Sequence, residues 1–103
     1  MIVKKNWLES PDLIEISAML KSLSHPSRMA IMYLISQHPE KRMTVKSIYD
    51  KLKMSQPVIS RHLGILKQSG LLTRFNEGIK TYYEIKLSNR NTKKITECFS
   101  SIK

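Results

Sequence analysis

The hydrophobic pattern of the chain changes its period at Gly70, and no other feature constrains the fold as much. Before this glycine, apolar residues in Gln56–Gln68 recur at the spacing of an amphipathic helix. After it, the segments 71–75 and 80–85 read as two short strands, and the second is rich in β-branched and aromatic residues. Between these segments, Gly78 supplies the positive φ that a hairpin turn needs. The sequence therefore predicts a helix that leads directly into a β-hairpin.

Capping residues and prolines predict the other helices. Ser10-Pro11 and His25-Pro26 are typical of helix starts, and Thr44 and Ser55 are expected to cap the third and fourth helices. Asn91 is expected to cap a last helix. No internal repeat or long linker divides the chain, so we expect one mainly α domain with a small β-hairpin, in the order α-α-α-α-β-β-α. Its expected extent is 1–103, with end helices at 10–23 and 91–102, a helix-turn-helix at 44–69, and a hairpin, here called the wing, at 71–86.

The positive charge of the chain is concentrated after residue 40. The formal net charge is +10. Residues 1–40 carry four basic and four acidic residues, whereas residues 41–86 carry ten basic and three acidic ones. A neutral segment followed by a basic stretch is typical of a surface that faces a polyanion. The alternative is a basic surface that serves only solubility.

The predicted fourth helix has one apolar face and one face suited to DNA. Ile59, Leu63 and Leu66 share the apolar stripe. The other face has no acidic residue, and on it Arg61 can reach guanine O6 and N7, while Gln56 can pair with adenine N6 and N7. The alternative is a merely solvated helix face, and the cationic wing that follows argues against it. The candidate DNA contacts are Ser55, Gln56, Pro57, Ser60, Arg61, His62 and Lys67 on the helix, with Arg74, Lys80 and Thr81 on the wing.

The composition excludes several other classes of protein. One cysteine, Cys98, precludes an intramolecular disulfide and makes a reducing compartment the default, and the first residues lack the apolar stretch of a signal peptide. The longest apolar run, Met29–Ile35, is far too short to span a membrane. The chain contains no P-loop, nucleophile elbow or suitably spaced acidic pair. We therefore expect a cytoplasmic protein that is not an enzyme and has no catalytic residues.

Three stretches of the chain resemble the ArsR-type (ArsR/SmtB) winged helix-turn-helix repressors. Leu20–Ile31 is similar to the opening signature of that family, Met54–Leu72 to its recognition-helix block, and Gly78–Ile85 to its wing and return strand. The resemblance implies a homodimer held together by the first and last helices. It also implies that the dimer binds a two-fold operator in double-stranded DNA and represses transcription until a signal releases it.

Apolar stripes near both ends of the chain form the expected dimer interface. A single small domain could hardly bury them alone, and burial against a second copy is a common remedy. The alternative is that they belong to the core of their own chain. The expected interface residues are Leu13, Ile16 and Leu20 in the first helix, and Ile95, Phe99 and Ile102 in the last.

The chain departs from the family pattern where many members bind metals. Members with a Cys-x-Cys pair in the third helix have thiolates where this chain has Thr44-Val45-Lys46, and the last helix contains no histidine. We therefore expect no metal and no cofactor, and the resemblance names no inducer. His62 is expected either to pack beside the core or to touch a phosphate. Cys98 is expected to act as a small apolar residue or, alternatively, as a redox thiol.

Two other functions remain open from the residues alone. One is a winged-helix module for protein–protein contacts, which would present apolar residues rather than Gln56, Ser60 and Arg61 on the fourth helix. The other is nonspecific nucleic-acid binding, which would depend on salt but little on base sequence.

Overall fold

The structure, a computed structural model, describes residues 6–102. It confirms the predicted order of four helices, a hairpin and a last helix, and it adds one short strand. The expected domain, 1–103, extends beyond the described residues at both ends. The elements are α1 (Pro11–Leu23), α2 (Pro26–Gln37), β1 (Arg42–Thr44), α3 (Val45–Leu52), α4 (Gln56–Gln68), β2 (Leu72–Glu77), β3 (Lys80–Ile85) and α5 (Arg90–Glu97), with 3-10 turns at Trp7–Glu9 and Cys98–Ser101.

Side-chain caps fix the starts of the first three helices. The backbone N–H of Leu13 donates to Ser10 Oγ at 3.3 Å, and the N–H of Ser47 donates to Thr44 Oγ1 at 3.1 Å. His25 caps α2, because its Nδ1 accepts from the N–H of Ser27 at 3.2 Å. Each of these bonds satisfies a backbone donor that has no partner within its own helix. Ser55 occupies the cap position of α4, but its side chain makes no capping hydrogen bond.

The sheet has three antiparallel strands in the order β1-β3-β2. β1 was not predicted; its central residue, Met43, pairs with Tyr83 of β3. β2 extends to Glu77, which pairs with Lys80, so the turn contains only two residues, Gly78 and Ile79. Gly78 has a φ of +63°, as the sequence predicts for this hairpin. The wing is therefore a regular hairpin whose base is held by a third strand.

The core lies between the helices and one face of the sheet. It is a single cluster that includes Met19 of α1, Ile31 of α2, Ile48 of α3 and Ile85 of β3. α4 packs against α1, α2, α3 and β2, so it is supported along its whole buried side. Among residues 6–102, no helix is long and apolar enough to cross a membrane.

α5 begins two residues earlier than expected, and the residues at its start contact α1. Asn89, not Asn91, caps the helix, with its Oδ1 accepting from the N–H of Thr92 at 3.0 Å. Asn91 is instead buried and donates its Nδ2 to Glu15 Oε1 at 2.8 Å and to Asp12 Oδ1 at 3.3 Å. The Asn91 hydrogen bond, followed by the charge of Arg90 at 2.8 Å, lowers the pKa of Asp12. These contacts join α1 directly to α5.

A second contact of α5 reaches the end of α4. Gly70 follows α4 with a φ of +89°, as predicted for a residue that ends a helix. Its carbonyl accepts from Thr92 Oγ1 at 2.7 Å, and Thr92 is fully buried. A Cβ at Gly70 would lie 3.3 Å from both Met19 Cε and Asn89 Nδ2. The backbone that leaves α4 is therefore packed tightly between α1 and α5.

Five of the six residues expected at a dimer interface remain partly or largely accessible in the single chain. Leu13, Leu20 and Ile102 are each about half exposed, and Ile16 and Ile95 are half-buried. Phe99 does not belong to this surface: its ring is buried in the core of its own chain, edge-on to Tyr33 at 6.4 Å. The reason is that Phe99 lies on the same helical stripe as the buried Thr92 and as Ile95, which itself packs against the core of this chain.

Candidate nucleic-acid interface

α4 is held by the apolar stripe that the sequence predicts. Ile59, Leu63 and Leu66 are fully buried and form part of the core cluster. Burying each of these side chains contributes roughly 2 kcal/mol. Because all three lie on one side of the helix, the opposite side is turned away from the core. This geometry leaves a polar helix face available to a partner.

The accessible face of α4 carries the predicted polar and cationic groups. Gln56, Pro57, Arg61 and Lys67 are exposed, and Ser60 is half-buried. α4 contains no acidic residue, and the positive end of its dipole lies at its start, where an anion is favoured. Gln56 Nε2 donates to Ser60 Oγ at 2.9 Å, an internal bond that the sequence reasoning did not anticipate. The helix therefore presents hydrogen-bonding groups and cations from its first turn to its last.

His62 does not lie on this face, and its assignment as a DNA contact is wrong. Its side chain is only 6% exposed and stands in ring contact with His25, at 4.8 Å between ring centroids. Arg28 Nη1 lies 3.2 Å from His62 Nδ1, and Arg28 Nε donates to the carbonyl of Ser22. A guanidinium group has no acceptor, so His62 Nδ1 must accept this hydrogen bond. His62 is therefore part of the joint between α2 and α4.

The burial of His62 in this joint makes the free energy of unfolding depend on pH. Burial, together with the nearby His25, Arg28 and Arg61, lowers the pKa of His62 below its ordinary value of 6.5. The unfolded chain thus binds a proton at His62 more readily than the folded chain does. The contribution of neutral His62 to the free energy of unfolding is fully present above about pH 6.5. It is lost as the pH falls toward the lower pKa that His62 has in the folded state. We expect urea unfolding to show a decline in stability over this window.

The variant His62→Gln is expected to lose that component of the pH dependence, because an amide does not titrate. His38→Gln, at the far end of α2, is the matched control for removing an imidazole outside the joint. If wild type and His62→Gln declined in parallel between pH 7.5 and 5.5, the joint would not be the source of the acid sensitivity.

The wing carries the three predicted contact residues of the hairpin, and two of them, Lys80 and Thr81, line a cleft that Gln56 of α4 also lines. Arg74 and Lys80 are exposed, and Thr81 is half-buried, with its Oγ1 donating to Asn76 Oδ1 at 3.0 Å. The middle of the wing is stiffened by an aromatic pair that the sequence reasoning missed. The rings of Phe75 and Tyr82 stack at 5.1 Å and 5° between planes. Arg42 of β1 lies over both of them, 5.6 and 5.5 Å from their centroids.

A cleft of about 860 Å³ separates α3 from the tip of the wing. Gln56, at the start of α4, also lines it, so the cleft brings the fourth helix and the wing to one site. Two further lysines line this cleft, Lys46 and Lys51 of α3, which the sequence reasoning did not assign to the site. Lys46 Nζ pairs with Asp50 Oδ2 at 2.8 Å, a contact that raises the pKa of Lys46. The cleft therefore has cations on both of its walls.

The residues that would have to bind a metal do not fit one. Thr44, Val45 and Lys46 stand at the start of α3, where family members with a Cys-x-Cys pair have thiolates, and they offer an ammonium group instead. Within the described part of the chain, no three His, Cys, Asp or Glu side chains come together as a metal site. Cys98 is exposed and is not in a disulfide.

Comparison with known proteins agrees with this geometry. The family model described as "Bacterial regulatory protein, arsR family" matches residues 25–74. An HTH-type transcriptional regulator of Methanocaldococcus jannaschii is 38% identical over 65 residues, which are 63% of this chain and 71% of that protein. The chain spans only about half the length of several other curated relatives that it matches.

Two solved structures are similar over most of the chain. The crystal structure of the transcriptional repressor PagR of Bacillus anthracis has a TM-score of 0.72 and 29% identity, and the match covers 84% of this chain and 94% of that one. The solution structure of the homodimeric winged helix-turn-helix domain Mb0332 of Mycobacterium bovis has a TM-score of 0.75 and 21% identity, over 98% of this chain and 89% of that one. The fold is therefore a winged helix-turn-helix.

Proposed function

The chain belongs to the ArsR family of bacterial regulatory proteins, and from this premise we propose that it is a dimeric, sequence-specific repressor of transcription. The observation that carries the proposal is the accessible, acid-free face of α4 beside a wing that presents Arg74 and Lys80. A helix of this length, about 20 Å, fits lengthwise in the major groove of a DNA duplex. α4 is accordingly the recognition helix, and the relatives named as repressors give the direction of regulation.

Individual roles follow from the chemistry of each side chain. Arg61 reads guanine through O6 and N7, and Gln56 reads adenine through N6 and N7. To do so, Gln56 exchanges its internal bond with Ser60 for bonds to a base, and Ser60 is then free to contact a phosphate or base edge. Phosphate contacts set the position of the helix without reading sequence. The proposed phosphate contacts are Ser55, Lys67, Arg74, Lys80 and Thr81, whereas Pro57, which has no N–H to donate, is proposed to contact the DNA only through its ring.

The second copy of the chain is proposed to cover the apolar surface of α1. Leu13 and Leu20 are about half exposed there, and Ile14 adds a third apolar side chain to the same helix. Ile102 adds exposed apolar area near the other end of the chain. Burial of this surface stabilises both copies, and the two recognition helices then meet half-sites roughly 34 Å apart, one turn of the duplex. The protein acts in the cytoplasm, where its DNA is, and it has no catalytic role.

The test is selection of genomic fragments by the purified full-length protein, followed by footprinting of the recovered fragments. The expected result is a small set of sites with two-fold symmetry and half-sites one helical turn apart. Recovery of fragments without a common sequence would assign the protein to nonspecific DNA binding. A protein that binds no duplex at low salt, although folded, would be a protein–protein module, and the repressor proposal would fail.

Replacing Lys80 by alanine is expected to weaken binding to the selected operator and to random DNA by similar factors. Lys80 is exposed on the wing and lines the cleft beside α4, so its loss removes one phosphate contact. The dependence of log K on log salt concentration should become shallower by about one unit. Lys93→Ala, an exposed lysine on α5, is the control that should leave the slope unchanged. If the salt dependence of Lys80→Ala equalled that of wild type, the proposal that the wing contacts phosphate would fail.

A further inference from the structure

The tip of the wing presents an exposed apolar side chain next to its last charged pair. Ile79 is fully exposed in the two-residue turn between β2 and β3. The residues on either side of this turn, Glu77 and Lys80, form the last pair of the hairpin and carry opposite charges. Between them, the two residues of the turn, Gly78 and Ile79, carry no charge or side-chain hydrogen-bonding group. The group that the tip offers to a partner is therefore the aliphatic side chain of Ile79.

The wing holds this side chain in a fixed position before any partner arrives. The stacked pair of Phe75 and Tyr82, with Arg42 over both rings, stiffens the middle of the hairpin. The hydrogen bond from Thr81 to Asn76 fixes the segment next to the turn. A β-branched side chain also has few rotamers to lose. Contact through Ile79 thus costs little conformational entropy compared with contact through a long cationic side chain.

The position of the tip relative to α4 indicates which part of the DNA it meets. Ile79 and Lys80 line one wall of the cleft, and Lys46 and Lys51 line the other, with Gln56 at the start of α4. If α4 occupies the major groove, as proposed above, the cationic cleft receives the adjacent phosphate backbone. Beyond that backbone lies the flanking minor groove, where architectural proteins insert apolar wedges. Ile79, at the tip of the wing, is the residue of the hairpin that would reach this groove.

We propose that Ile79 makes the operator's flanking sequence part of recognition, by selecting A·T pairs in the minor groove. This inference rests on the proposed DNA-binding function. An aliphatic side chain offers no hydrogen bond to a base edge, so it discriminates only through shape and desolvation. The minor groove of a G·C pair carries the N2 amino group of guanine, which A·T pairs lack. Ile79 would collide with this group or remove it from water, and at A·T pairs it packs on the groove floor without that loss.

Inosine separates this readout from any contact in the major groove. An I·C pair has the major-groove pattern of G·C but lacks the N2 amino group. Binding of the full-length protein is measured on a selected operator whose flanks carry A·T, G·C or I·C pairs. For wild type we expect binding to be about five- to tenfold weaker with G·C flanks and to recover with I·C flanks. I·C flanks that behave like G·C flanks would overturn the proposal.

Two variants test whether the preference for A·T flanks depends on Ile79. Ile79→Ala is expected to reduce the difference between A·T and G·C flanks to about twofold or less, while preference within the central half-sites persists. Lys80→Ala is expected to weaken all three operators alike and to keep the ratio between them. An Ile79→Ala protein that retains the flank preference would overturn the proposal. Absence of any operator from the selection would instead count against the proposed function, so the two failures are distinguishable.

Discussion

Replacing Leu63 by alanine is expected to lower the free energy of unfolding by about 2–5 kcal/mol. Leu63 is fully buried on the side of α4 that packs on the core, so the substitution removes apolar contacts and leaves a cavity. For a chain of this size the loss is a large share of the total stability. Urea unfolding, monitored at a fixed protein concentration because the protein is proposed to dimerise, measures it.

Ile65→Ala is the matched control on the same helix. Ile65 is 37% exposed, so much of its side chain already contacts water, and the cost should be about 1 kcal/mol or less. The comparison holds the helix and the replacement residue constant and changes only the face. Equal losses at the two positions would mean that α4 is not docked through the stripe that contains Leu63, and the accessible face would have to be redefined.

Replacing Arg61 by alanine is expected to cost about 1–3 kcal/mol in binding to the selected operator and to relax the base preference at one position in each half-site. Arg61 is exposed on the acid-free face of α4, whereas its neighbour His62 is buried, so the substitution leaves the joint with α2 in place. Binding measured on the operator and on a panel with single base-pair changes gives both quantities. An equal loss on operator and random DNA would assign Arg61 to a phosphate.

Arg61→Lys sharpens that assignment. Lysine keeps the positive charge but loses the planar fork that pairs with guanine O6 and N7 together. If Arg61 reads guanine, the lysine variant should lose much of the discrimination at that base pair. If it contacts a phosphate, the lysine variant should bind the whole panel nearly as well as wild type. Circular dichroism at the binding temperature confirms that both variants are folded.

The sequence predicts the recognition helix and the wing well because each depends on local signals. α4 has the predicted bounds, and the glycine that ends it adopts the predicted left-handed conformation. β1 was missed because three residues are too short to show an alternating pattern, and β1 exists only because β3 is there to pair with it. The Phe75–Tyr82 stack likewise needs the register of two strands, which no single segment contains.

The burial of His62, in contrast, is indicated by the helical spacing of the sequence. Residues 59, 62, 63 and 66 have the spacing of one helix face, which places His62 at the edge of the buried stripe. Its partners His25 and Arg28 lie more than thirty positions away, so the sequence could not show what satisfies a buried imidazole. For Asn89 and Asn91, the choice between two asparagines depended on the carboxylates of α1, again a distant partner.

The hydrogen bond from Thr92 to Gly70 links α5 directly to the end of the recognition helix. α5, one of the proposed dimerisation helices, is bonded to the residue from which the backbone leaves the recognition helix. The contact is closely packed, because a Cβ at Gly70 would displace the neighbouring side chains. In the proposed dimer, a shift of α5 against the second copy would therefore act directly on the residue that ends the recognition helix.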